Sequence, residues 1–92
     1  MTGERYELLV APTARRQLAE QLPGSVAFAA YEFIVGPLLE NPSQVGKRLR
    51  PPLDDRHSAR RGTYRVIYRI DEQHRRVTVV GVLSRADAYR SR

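Results

Sequence analysis

The sequence contains no cysteine. That excludes a disulfide framework, a thiolate zinc site and a cysteine nucleophile. No stretch approaches the roughly 18 consecutive apolar residues that a membrane helix needs, and no apolar run follows a basic N-terminal stretch in the manner of a secretory leader. A cytoplasmic protein without membrane contact is the expectation. No internal repeat or low-complexity segment is present. Lysine is nearly missing as well: fifteen of the sixteen basic residues are arginine, and Lys47 is the exception. Neither a recognition-helix pattern nor an aromatic RNP-like motif is present, which disfavours a plain DNA- or RNA-binding module.

What is present suits one small globular domain. The 92 residues leave room for a single modest core, so residues 1–92 are read as one domain. Apolar residues make up 41% and charged residues 28%, a globular rather than a disordered balance. The charge is unevenly spread. Residues 1–46 hold three arginines against five acids, whereas residues 47–92 hold Lys47 and twelve arginines against five acids. The positive field therefore belongs to the second half. Guanidinium groups bind phosphate through two parallel hydrogen bonds, so the clustering points to a polyanionic partner, either nucleic acid or an acidic protein segment.

Periodicity divides the chain. Residues 5–10 are short and apolar enough for a first strand. Pro12 and Thr13 open a helix in which Ala14, Leu18 and Leu22 share a face, while Arg15, Arg16 and Glu20 meet water. Pro23-Gly24 breaks it, and Ser25 is positioned to cap a second helix that buries Val26, Ala30, Phe33 and Ile34. Gly36-Pro37 ends that helix, with one further turn at Leu38-Leu39. The two helices form an αα-hairpin. Residues 43–55 read as irregular, 56–61 as a short strand, 63–70 as a strong strand, 71–74 as a turn and 77–83 as the return strand. Residues 85–90 read as a last helical turn. The order predicts an α+β fold: an N-terminal strand and αα-hairpin packed on a small, mostly antiparallel sheet. Pairing Ile70 with Arg76 sets Arg65 opposite Gly81 and Tyr68 opposite Thr78. That register puts Arg65, Ile67, Arg69, Val79, Gly81, Leu83 and Arg85 on one face. Tyr64, Val66, Tyr68, Ile70, Val80 and Val82 turn to the helices.

The run Gly62-Thr63-Tyr64-Arg65-Val66-Ile67-Tyr68 resembles the central motif of the RelE/ParE toxin superfamily, roughly G-x-Y-R-[VIL]-[VIL]-Y. Leu38-Leu39-Glu40-Asn41-Pro42, Gly46-Lys47-Arg48-Leu49 and Arg85-Ala86-Asp87-Ala88-Tyr89 fall where the family has similar residues, so the likeness spans essentially the whole chain. In its RelE-type branch the resemblance implies a toxin of a type II toxin–antitoxin system. Such a toxin is an endoribonuclease that cuts mRNA in the ribosomal A site, without metal or cofactor. The ribose 2′-OH attacks the adjacent phosphate, giving a 2′,3′-cyclic phosphate and a 5′-OH. The implied catalytic residues are Arg65, Arg85 and Tyr89. Arg56, Arg60 and Arg61, in the basic stretch before the motif strand, are the implied phosphate-binding residues. The implied partners are the ribosome, its mRNA and a cognate antitoxin with an acidic or amphipathic segment, in a hetero-oligomer.

This chain departs from the family at two places. Ser84 stands where some members have a histidine, and Arg56 and Ser58 stand where others have lysines. Arginine, with a pKa above 12, is a poor general base. His57 and Tyr89 remain as candidates for that role, and His74 reads as a surface residue of the turn. The alternative within the same fold is a ParE-type inhibitor of DNA gyrase with no nuclease activity.

Overall fold

The computed structural model describes residues 5–84, so Arg85, Tyr89 and the expected C-terminal helical turn lie outside the described residues. β1 (Glu7–Val10) leads into α1 (Pro12–Arg16), which continues as a π-helical turn over Gln17–Gln21. α2 (Gly24–Val35), α3 (Pro37–Glu40) and α4 (Pro42–Val45) follow. β2 (Lys47–Arg48), β3 (His57–Arg61), β4 (Tyr64–Asp71) and β5 (Arg76–Ser84) complete one five-stranded sheet. Its order is β1-β5-β4-β3-β2, with β1 parallel to β5 and every other pair antiparallel. The α+β architecture matches the expectation, and the helices pack on one face of the sheet.

The core explains why. β4 alternates strictly, with Tyr64, Val66 and Tyr68 buried while Arg65 and Arg69 are exposed. Its inner face meets Ala14, Ala30, Phe33, Ile34, Leu38 and Leu39 from the helices, with Leu18, Leu22 and Val26 packed at the margin. Two phenols tie the helical layer to the sheet. Tyr68, fully buried, donates to the Pro42 carbonyl at 2.5 Å, and Tyr64 donates to the Ala29 carbonyl at 3.3 Å. Burial pushes the Tyr68 hydroxyl up to about 12, the nearby charge of Arg61 pulling weakly the other way.

Four details differ from the sequence expectation. The first helix changes to a π turn at Gln17, closed by the Leu22 amide bonding to the Gln17 carbonyl at 3.1 Å. The side chain of Gln17 accepts the Val82 amide at 2.7 Å, capping β5 beyond the point where β1 ends. Second, Ser25 caps nothing: α2 starts at Gly24 after Pro23, with no side-chain cap. Third, residues 43–55 are not wholly irregular, since they include most of α4 and all of β2.

The fourth difference concerns the β4–β5 register. Ile70 pairs with Val77 rather than Arg76, and between Ile67 and Tyr68 the pairing steps over Val80. Val80 is thus a bulge residue, an extra residue that reverses which alternate side chains face the core. Val77 and Val79 are buried before it, and Val82 and Ser84 after it. Val79 therefore belongs to the core instead of the open face, and Val80 does not share the helix-facing set. Arg65 stands opposite Leu83, while Gly81 stands opposite Ile67.

Gly46 runs close under the Tyr68 hydroxyl: a Cβ there would collide with that oxygen and lie 2.8 Å from the Ser58 carbonyl. Gly46→Ala is expected to destabilise by about 1–3 kcal/mol through overpacking. Tyr68→Phe, which orphans the Pro42 carbonyl, is expected to cost a similar 1–3 kcal/mol. Urea unfolding near neutral pH measures both. The Tyr68 contribution is complete below pH 10 and disappears as the pH rises toward 12, because the unfolded chain ionises its phenol first. Tyr68→Phe should lack that alkaline loss.

Candidate functional site on the open face of the sheet

The face turned away from the helices carries the chemistry. On β3, Arg60 pairs directly with Arg65 of β4, and Ser58 pairs with Ile67. Arg65 in turn faces Leu83 of β5. Residues opposite each other in neighbouring strands project from the same face with Cβ atoms roughly 5 Å apart. The two arginines thereby leave the sheet side by side, both exposed, and neither guanidinium is hydrogen-bonded or ion-paired within the described residues. Arg69 lies two residues along β4 on the same face, also exposed.

The opposite end of this face is neutralised. Arg76 bonds to Glu7 at 3.3 Å, and His74 Nδ1 lies 2.8 Å from Asp71. That His74 contact, with the His74 amide, holds the Asp71 carboxyl below its usual range. Arg75, at a positive φ of 50° in the turn, stacks its guanidinium 4.3 Å from the Tyr6 ring. The open face thus runs from compensated charge at the β4–β5 turn to uncompensated positive charge around Arg60 and Arg65. Arg65 and Asp71 lie six residues apart along β4, a separation of roughly 20 Å.

The arginines of the basic stretch do not all gather there. Arg61 projects to the helical side, its guanidinium 4.7 Å from the centre of the Phe33 ring and bonded to the Val45 carbonyl at 3.2 Å. It acts as a strut between β3 and α4 and does not join Arg60. Arg56 precedes β3, and its buried Nε lies 3.7 Å from an Asp55 carboxylate oxygen, an ion pair too long for a hydrogen bond. By strand alternation it continues the row of Ser58 and Arg60. His57 is also on the helical side, stacked on the Tyr68 ring at 5.5 Å with its Nδ1 buried and unpartnered. Burial, aided by the Arg48 charge, lowers its pKa. A neutral imidazole locked against the core does not reach the open face. Ser84 is buried beside Tyr64 on the helical side.

Arg69 takes the outward course that the alternation of its strand predicts, whereas the place of Lys47 was not legible, because its two-residue strand lies in a stretch that reads as irregular. Among the described residues no three His, Asp or Glu side chains are gathered to hold a metal, and no helix is long and apolar enough to cross a membrane. A separate apolar groove of about 870 Å³ lies between β1, α1 and α2, where Leu9, Phe28 and Tyr31 are exposed. It contains one charged side chain, Arg15, and no proton-transfer pair.

An unpaired cross-strand arginine couple costs the free protein about 0.2–1 kcal/mol in like-charge repulsion. Arg60→Thr is therefore expected to raise the urea midpoint slightly in low salt. Added sulfate should stabilise the parent protein more than the variant. Equal responses to sulfate would show that Arg60 and Arg65 do not form an anion site.

Comparison with known proteins agrees with this architecture. A family model described as "ParE toxin of type II toxin-antitoxin system, parDE" matches residues 8–89. The toxins RelE and RelG of Mycobacterium tuberculosis are each 47% identical over 85 residues, covering 92% of this chain and 87% and 97% of theirs. The solved toxin–antitoxin complex RelBE2 from the same organism contains a chain 44% identical to this one, with a TM-score of 0.84. That match covers 88% of this chain and 99% of the other. A family model that matches residues 8–89 and relatives 47% identical over 92% of the chain carry the conclusion: the chain belongs to the RelE/ParE superfamily of toxins from type II toxin–antitoxin systems.

Proposed function

We propose that this toxin is an endoribonuclease of the RelE type, cutting mRNA in the ribosomal A site, and that a cognate antitoxin holds it inactive. The observation that carries this reading is the pair Arg60–Arg65, exposed on the open face and without a counter-ion among the described residues. Attack by the 2′-OH builds negative charge on the equatorial oxygens of the scissile phosphate. Preorganised guanidinium groups stabilise that charge without having to reorient as it develops. A β-sheet suits the task, because its pairing holds both side chains at fixed spacing.

In this reading Arg65 and Arg60 together grip the scissile phosphate in the transition state, Arg56 binds a flanking phosphate, and Arg69 extends the electropositive track. Arg85 and Tyr89, both beyond the described residues, are proposed to complete the site from the C-terminal segment. Arg85 would add a second phosphate contact, and Tyr89 would stack on a base or orient the 2′-OH. Arg61 is left out, since its guanidinium is committed to Phe33 and Val45.

The relatives named RelE and RelG support the RelE branch over gyrase inhibition, although the family model carries the ParE description. A gyrase binder has no chemical need for convergent, unpaired cations. The antitoxin partner follows from the same kinship, one relative having been solved as a toxin–antitoxin complex. An acidic or amphipathic antitoxin segment would supply the carboxylates that the Arg60–Arg65 end lacks.

Arg65→Ala is expected to lose roughly 10²–10³-fold in single-turnover cleavage on programmed ribosomes, the usual cost of one preorganised donor. Arg65→Lys should recover little, lacking the bidentate fork. Arg75→Ala and Arg76→Ala, at the far end of the sheet, should cleave normally. If they lose as much as Arg65→Ala, diffuse charge rather than a site accounts for the activity. Induced expression should stop methionine incorporation before thymidine incorporation; the reverse order would favour gyrase.

A further inference from the structure

The open face presents guanidinium groups, which hold charge well and exchange protons poorly. RNA cleavage also needs a proton for the departing 5′ oxygen. Tyr64, Tyr68 and His57 all project to the helical side and are removed from the substrate face.

One ammonium group lies on the open face. Lys47, the only lysine of the chain, pairs with Ser58 across β2 and β3. Cross-strand partners share a face, so Lys47 stands with Ser58, Arg60 and Arg65, while its neighbour Arg48 pairs with His57 on the other side. Lys47, Ser58 and Ile67 make one row across three strands, and Arg60, Arg65 and Leu83 make the next. With strands about 4.8 Å apart and same-face residues about 6.6 Å apart along a strand, the Cα atoms of Lys47 and Arg60 lie roughly 8 Å from each other. Two long side chains span that interval and can meet at one phosphate. Lys47 is exposed, and its ammonium forms no hydrogen bond or ion pair within the described residues.

Resting on the nuclease reading above, we propose that Lys47 is the general acid that protonates the leaving 5′ oxygen. The 2′ oxygen forms its bond to phosphorus as its proton passes to water. The P–O5′ bond breaks, and the electron pair left on O5′ takes a proton from the Lys47 ammonium. The products are the 2′,3′-cyclic phosphate, a 5′-OH and a neutral amine, which regains its proton from water. An ammonium gives up a proton at far lower cost than a guanidinium, so the one lysine supplies what the surrounding arginines cannot. Its position depends on the two-residue strand β2, which brings it beside Ser58.

The test uses mRNA whose scissile 5′-bridging oxygen is replaced by sulfur, because a thiolate leaves without being protonated. Single-turnover cleavage is followed on programmed ribosomes with both substrates. Lys47→Ala is expected to slow the oxygen substrate by roughly 10²–10⁴-fold, the range of general acid catalysis, and to cleave the sulfur substrate at close to the parent rate. Lys47→Arg, which keeps the charge and length, should remain slow on oxygen and fast on sulfur. If Lys47→Ala slows both substrates equally, or neither, Lys47 is not the acid. If the parent protein cleaves neither substrate, the nuclease reading itself fails, and the proposal with it.

Discussion

β4 is polar on one side and apolar on the other, and it lies in the interior of the sheet. Tyr64, Val66 and Tyr68 must be buried, since they form the floor on which α2, α3 and α4 rest. The period of a strand is two, so burial of these residues forces Arg65 and Arg69 outward. The same constraint passes to each neighbouring strand. Pairing with Val66 buries Ala59, which turns Ser58 and Arg60 outward, and pairing with Ser58 then fixes the side on which Lys47 stands. The positive face is thus a consequence of the core. Neither Arg60 nor Arg65 gains stability from its position, and mutual repulsion acts against both.

That arrangement suits the two anionic partners proposed above, an RNA and an acidic antitoxin segment. A surface of uncompensated guanidinium groups binds phosphate, and it also invites carboxylates from an inhibitory segment. Long-range attraction of this kind speeds encounter with either partner and weakens as salt screens it. The opposite end of the sheet does not share the property, because Glu7, Asp71 and Glu72 are engaged with Arg76, His74 and Tyr6 there. Confining the open charge to one end would give the proposed RNA substrate a direction.

Much of this was legible from sequence, for identifiable reasons. The alternation in Tyr64–Ile70 is clean, so its strand, its buried face and the outward course of Arg65 could be read directly. The helical faces of Ala14, Ala30, Phe33 and Ile34 were legible through their spacing of three and four. The bulge at Val80 was hidden because Val77, Val79, Val80 and Val82 are apolar at both parities, so no pattern marks the change of face. β2 was hidden for another reason. Two residues carry no periodicity, and only pairing with β3 sets Lys47 on the open face. Arg61 looked equivalent to Arg60 in a basic run, but adjacent residues of a strand face opposite ways, and Phe33 claims it. The family motif supplied roles for Arg85 and Tyr89 that lie beyond the described residues.

The central claim is that Arg60 and Arg65 act as one unit on the scissile phosphate. A double-mutant cycle in single-turnover cleavage on programmed ribosomes tests it most directly, with Arg60→Ala, Arg65→Ala and the double variant. Groups that stabilise the same developing charge are non-additive. The account predicts that the double variant loses distinctly less rate than the product of the two single losses. A double variant whose loss equals that product would contradict it, showing two arginines that act independently on a diffuse surface.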